Sequence, residues 1–225
     1  MTSILKTVKY IYRETINKKK VEFQNIIKIK MNTKKGFTLL ELLIVIGILA
    51  ILSTTIVLVI NPAELLKKAR DSQRISDLNT VKTAIAYYLT EEGDPGIGDN
   101  DTSYSHVTGV DCATTATSTQ SQAIDSTGWI PVPFDDLAGG SPLSNLPVDP
   151  NPSTSAGDYY YVYLPNATSL TFKLVANMES TYYGGGEGDV EGTDGGTEEN
   201  LYEVGTDMDI AITVGANCYN GQTAS

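Results

Sequence analysis

The chain has 225 residues, enough for one membrane segment and one modest globular domain but not for two large domains. Its net charge of -11 is unevenly spread: ten of the 16 Lys and Arg residues lie in residues 1–36, with only Glu14 and Glu22 opposing them, so the remainder is strongly acidic. A basic leader followed by a body that repels phosphate excludes a nucleic-acid binder, and by the positive-inside rule keeps the leader cytoplasmic while the body goes outward.

Residues 37–60 come next, 24 residues that are apolar apart from Thr38, Glu41, Gly47, Ser53, Thr54 and Thr55. As a helix they span about 36 Å, more than a bilayer core of about 30 Å and too long for a signal-peptide core. A plain signal anchor explains the hydrophobicity but leaves Glu41 unexplained. A carboxylate in hydrocarbon costs several kcal/mol unless it is neutralised or paired, so it marks function.

Residues 61–92 predict the amphipathic second half of the helix. Asn61, Pro62 and Glu64 have the spacing of an N-cap, an N1 proline and a capping-box acid, so the helix is expected to bend or restart there. Ile75, Leu78, Val81, Ile85 and Leu89 recur every three or four residues as an apolar stripe. The opposite face carries Lys67, Lys68, Arg70, Asp71, Arg74, Asp77 and Lys82, with Glu64 and Lys68 at the favourable i,i+4 spacing.

From residue 93 to about residue 158 the glycines, prolines and Ser, Thr and Asp residues predict a long loop, pinned by Trp129, Ile130, Val132, Phe134 and Leu137 as apolar plugs. Three strands follow: residues 158–164, ended by a turn at Pro165 and Asn166; residues 169–178, where Leu170, Phe172, Leu174, Ala176 and Met178 alternate with Thr171, Lys173, Val175 and Asn177; and residues 206–214, where Met208, Ile210, Ile212 and Val214 alternate with acids and small residues. Such alternation marks an antiparallel sheet with one buried face, which the helical stripe would cover. The fold class is therefore α+β: a long N-terminal helix, half of it transmembrane, packed on a small antiparallel sheet in a head of residues 93–225.

Cys112 and Cys218 are the only cysteines, both in the part expected outside. A disulfide between them and two free thiols are both open readings. Metal binding by the pair is disfavoured, because neither has a neighbouring cysteine and His106 is the only histidine. No nucleophile elbow, phosphate loop or close Cys-His pair is present, and His106 sits in a polar loop, so no enzyme is expected.

At KKGFTLLELL the sequence resembles a known signature. Gly36, Phe37, a hydroxyl residue, apolar residues and Glu41 at the fifth place after the glycine are similar to the prepilin processing site of the type IV pilin and type II secretion pseudopilin superfamily. The resemblance implies that a membrane-embedded prepilin peptidase cuts between Gly36 and Phe37 and methylates the new amino terminus of Phe37. It implies a pilin-like head, single-pass residence in the cytoplasmic membrane, and recruitment by a platform protein and an assembly ATPase into a homo-oligomeric extracellular or periplasmic filament. Glu41, one helical turn from Phe37, would then meet the new ammonium of its own or a neighbouring subunit. Three functions remain open: a pilus subunit for adhesion, motility or DNA uptake; a major secretion pseudopilin; and a signal-anchored extracytoplasmic binding domain that never polymerises.

Two departures stand out. Family leaders are commonly short, whereas this one has 36 residues with Met31 just before NTKKG, so either the leader is unusually long or the start is Met31, which is the favoured reading. Pro62 also lies slightly deeper than the family's helix-bending proline. Residues 184–200 pack six acids among seven glycines, and Asp189, Glu191 and Asp194 are candidate Ca²⁺ ligands, although no EF-hand spacing is present. The resemblance adds to that candidate, because major pseudopilins carry calcium in a C-terminal loop. A solvated acidic loop is the alternative.

Overall fold

The structure, a computed structural model, describes residues 9–10, 12–22, 36–151, 159–213 and 218–219, except the side chains of residues 55 and 57–60. Met31, Lys34, Lys35 and Val214 lie outside the described residues. The chain divides into two units, Met1–Leu58 and Val59–Ser225. Residues 12–22 are helical.

Helix α1, Leu39–Ile60, is 22 residues long and has Glu41 as its sole charged residue. Its hydroxyls do not break it, because Ser53 Oγ donates to the Leu49 carbonyl at 2.7 Å and Thr54 Oγ1 to the Ala50 carbonyl at 2.9 Å. Helical pairing stops at Asn61, whose φ of 44° is left-handed, and resumes with Pro62, which has no N–H to donate. The expected capping box is not formed there: Asn61 makes no side-chain cap, and the Glu64 carboxylate instead accepts the Thr181 amide at 2.7 Å and hydroxyl at 2.9 Å. No Glu64–Lys68 ion pair forms among the described residues; the Lys68 ammonium lies 4.2 Å from the Tyr182 ring centre.

Helix α2, Pro62–Glu91, lays Leu78, Val81, Ala84, Ile85 and Tyr88 on the core, with Ile75 and Leu89 packed at its margin. The sheet has five strands in the order β2-β1-β3-β4-β5: β1 Thr102–Ser105, β2 Thr115–Ser118, β3 Tyr161–Asn166, β4 Thr171–Ala176 and β5 Tyr202–Gly205. It is mostly antiparallel, but β1 and β2 run parallel.

Four expectations are corrected. The loop after residue 93 contributes β1 and β2, which are too short and too rich in Ser and Thr to alternate visibly. Pro165 and Asn166 remain paired in β3, and the turn comes after them, where the Asn166 side chain accepts the Thr168 and Ser169 amides. The last strand is Tyr202–Gly205, whereas residues 207–213 are irregular, opening on an Asp207 carboxylate that accepts the Asp209 amide and so competes with strand pairing. Finally, both faces of the sheet are buried except at the exposed edge strand β2. Tyr161, Tyr163, Phe172, Leu174, Tyr202 and Val204 join the cluster of α2 and the five loop plugs, while Tyr160, Val162, Leu164 and Val175 pack with Val107, Val110, Leu201, Tyr219 and the two cysteines.

Candidate processing and assembly site

Residues 36–38 are not helical, and α1 starts directly behind them. Thr38 makes that boundary: its Oγ1 accepts the Glu41 amide at 3.2 Å and its carbonyl accepts the Leu42 amide at 3.2 Å. Thr38 is thus an N-cap, and TLLE has the order of a capping box, a signal legible in the sequence that was sought instead at Asn61. Space around Gly36 is open, with no atom within 4 Å of an added Cβ, and Phe37 is 77 % exposed. Glu41 is exposed in the first helical turn, where the helix dipole favours its negative charge. In the intact chain the Phe37 nitrogen is an amide, so the ammonium that would pair with Glu41 has not yet been made.

In the second unit, Cys112 and Cys218 form a disulfide with Cα atoms 5.0 Å apart, buried on the sheet face away from α2. The acidic loop does not assemble a cation site. Asp189 Oδ1 accepts the amides of Gly185, Glu191 and Gly192; Glu191 Oε1 accepts the Met178 amide at 2.8 Å; Asp194 accepts the amides of Gly196 and Glu203. Each carboxylate is turned onto backbone N–H groups, and no group of three metal-binding side chains occurs among the described residues. The donor set therefore does not fit Ca²⁺. Burial, with further repulsion from Asp189, Asp71 and Asp194, raises the Glu191 carboxyl to about 7 against the pull of the Met178 amide, so this acid holds its proton close to neutrality.

Residues expected on a solvated face are buried instead. Arg74 and Asp71 are inaccessible: Arg74 donates twice to Asp149, at 2.7 and 2.8 Å, and once to Asp71 at 2.6 Å, while Asp71 also accepts the Glu179 and Ser180 amides. Burial opposes the Arg74 charge, but the bonds and attraction to Asp149 and Asp71 outweigh it and raise its pKa. Arg70 grips Glu179 with two bonds beside this group. A clue was available, since positions 71, 74, 78, 81, 85 and 88 keep the three-four spacing of the buried stripe. Lys173 and Glu203 form a second buried pair at 2.8 Å. His106, expected to be incidental, is buried edge-on to Trp129 and Tyr161, and neither ring nitrogen has a hydrogen-bond partner among the described residues.

Residues 31–57 match the family model described as the prokaryotic N-terminal methylation motif. That is the signature of type IV pilins and pseudopilins. The matched stretch takes in Gly36, Phe37, Thr38 and Glu41, the residues placed at the start of α1. No curated protein and no solved structure matches the chain. The pilin-type signature points to a structural subunit rather than an enzyme, and to processing by a prepilin peptidase followed by pilus-type assembly in general. The helix-on-sheet arrangement of α2 and the five strands suits that class. Among the described residues no helix is long and apolar enough to cross a membrane.

Proposed function

We propose that this chain is the precursor of a filament subunit, cut after Gly36, methylated at Phe37 and assembled through its N-terminal helix into a surface pilus. The observation that carries the reading is the methylation motif matched over residues 31–57, in register with an exposed, non-helical Gly36–Phe37 bond and an acid four residues beyond it. The remaining features act together. The basic leader holds the cytoplasmic side, residues 37–60 reside in the membrane as a single pass, and the acidic head lies outside.

Assembly follows from the chemistry of the cut. Hydrolysis creates an ammonium at Phe37 of opposite sign to Glu41, and a subunit in the wrong register would leave both charges unpaired in an apolar core. That penalty exceeds what the correct pair gains, so the contact selects register more than it supplies affinity. A head-to-tail contact of this type does not close on itself and propagates as a helical filament. A platform protein and an assembly ATPase would drive subunits out of the membrane.

The reading is tested by mass spectrometry of sheared surface filaments. A first peptide starting at N-methylated Phe37 is expected. A first peptide retaining Lys34–Gly36, or the absence of this chain from filaments, would refute it and leave the signal-anchored, non-polymerising domain. A chain found only in a periplasmic filament whose loss blocks protein export would be a pseudopilin.

A further inference from the structure

We infer that Thr38 is a positioning residue for the cut: as N-cap of α1 it stops the helix one residue short of Phe37 and so keeps the Gly36–Phe37 peptide bond out of helical pairing. This rests on the processing reading above and adds a determinant to it. The argument begins with the backbone. A peptidase that binds its substrate as an extended strand needs free N–H and C=O groups on both sides of the bond it breaks, and a helix ties those groups up internally.

Upstream extension of α1 is the alternative that the chain must resist. Phe37 is compatible with a helix, and the apolar run behind it propagates helix readily. Gly36 discourages extension but lies on the far side of the bond, so it protects that bond only in part. Thr38 acts at the right place. Its hydroxyl oxygen takes the Glu41 amide, its carbonyl takes the Leu42 amide, and α1 begins at Leu39. Residues 36 and 37 are left non-helical and open, with nothing within 4 Å of an added Gly36 Cβ.

The same contact places Glu41 at the third helical position, so the residue that fixes where the peptidase cuts also fixes the turn on which the assembly acid stands. The Gly36–Phe37 bond and Glu41 are thereby held on opposite sides of one boundary.

The test uses the full-length precursor in membranes containing prepilin peptidase, with Thr38→Ser, Thr38→Gly, Thr38→Ala and Thr38→Val compared with the unmodified chain. Serine caps as threonine does and glycine nearly so, whereas alanine and valine do not. Cleavage of the Ser and Gly variants should therefore stay within about twofold of the unmodified chain. The Ala and Val variants should slow about fivefold, through a raised KM at unchanged kcat, because only the non-helical fraction binds. Carbon chemical shifts of residues 36–38 should move toward helical values in the Ala and Val variants alone.

The Gly variant separates positioning from direct recognition. If it is as slow as Ala, the peptidase reads the hydroxyl itself and the proposal falls. Equal rates in all variants also overturn it. An unmodified chain that is never cut between Gly36 and Phe37, with residues 36–38 still non-helical, would remove the processing reading and the positioning role with it, and the unchanged shifts would mark the fault as lying with processing.

Discussion

Helices α1 and α2 follow one another in the chain and handle polarity in opposite ways. In α1, Leu39, Leu40, Leu42, Leu43, Ile44 and Ile48 are among the exposed apolar residues. In α2, two charged residues, Asp71 and Arg74, are wholly buried. Each arrangement contradicts what water alone would select. An exposed apolar helix requires a surrounding that is not water, and a buried Arg requires partners that saturate its guanidinium. For α1, the proposed function supplies that surrounding as a bilayer or the neighbouring helices of a filament. For α2 it is already present, as Asp149, Asp71 and the Tyr159 ring stacked against the guanidinium.

The contrast can be broken at either helix, and the largest effect belongs to α1. Glu41→Ala should leave cleavage after Gly36 intact and abolish incorporation into filaments, as seen by immunoblot and electron microscopy together. Normal filaments from that variant would remove the register role.

Next comes the buried cation of α2. Arg74→Ala strands Asp149 and Asp71 without their cation and should cost about 3–5 kcal/mol, read as a fall in the urea midpoint. If Arg74→Met together with Asp149→Leu and Asp71→Ala restores the midpoint, the network supplies specificity rather than net stability.

Cys218→Ser should cost about 2–5 kcal/mol by the same measurement, in the chain-entropy account of a long closed loop. No change between oxidised and reduced protein would mean that the bridge contributes nothing to the head.

The smallest effects are pH-dependent and oppose each other. Glu191 has a raised carboxyl pKa, so the folded state holds its proton longer; its contribution is complete below the usual value of 4.5 and is lost as pH rises toward about 7. Glu191→Gln should flatten that limb, read as loss of the pH dependence of the melting midpoint between about 4.5 and 7. Burial lowers the pKa of His106, against a partial pull from Asp149, so its contribution is present above the ordinary 6.5 and declines as pH falls below it. The groups around it are Trp129, Tyr161 and Asp149, and His106→Phe should remove the acid-side decline in thermal melts.

What could be read beforehand divides along physical lines. The α2 stripe, β3 and β4 and the five loop plugs were legible because each is a periodic or clustered apolar signal. The methylation motif was legible because several residue types fall at fixed offsets within ten positions. Strands β1 and β2 were hidden, since TSYS and TATS are held by pairing with neighbours and not by their own alternation. Strand β5 was missed because TDMDIAITV alternates more regularly than YEVG, and alternation does not register that Asp207 prefers a local turn. The acidic loop follows the same rule: composition counts acids but does not show that backbone amides bond to Asp189, Glu191 and Asp194. Charge normally means exposure, and only the partners from distant segments, Asp149 and Glu203, account for the burial of Arg74 and Lys173.

The Cys112–Cys218 bridge has a mechanical consequence. Strands β2, β3, β4 and β5 all fall within the 106-residue separation between the two cysteines, so they sit inside one covalent ring. Under tension along a filament, force entering through the helices cannot draw that ring out like thread. At about 3.3–3.6 Å per extended residue, on the order of 350 Å of chain length stays locked even after the strands separate. A stretched head would yield at β1, stop short, and retain the closed ring from which to refold when the load is released.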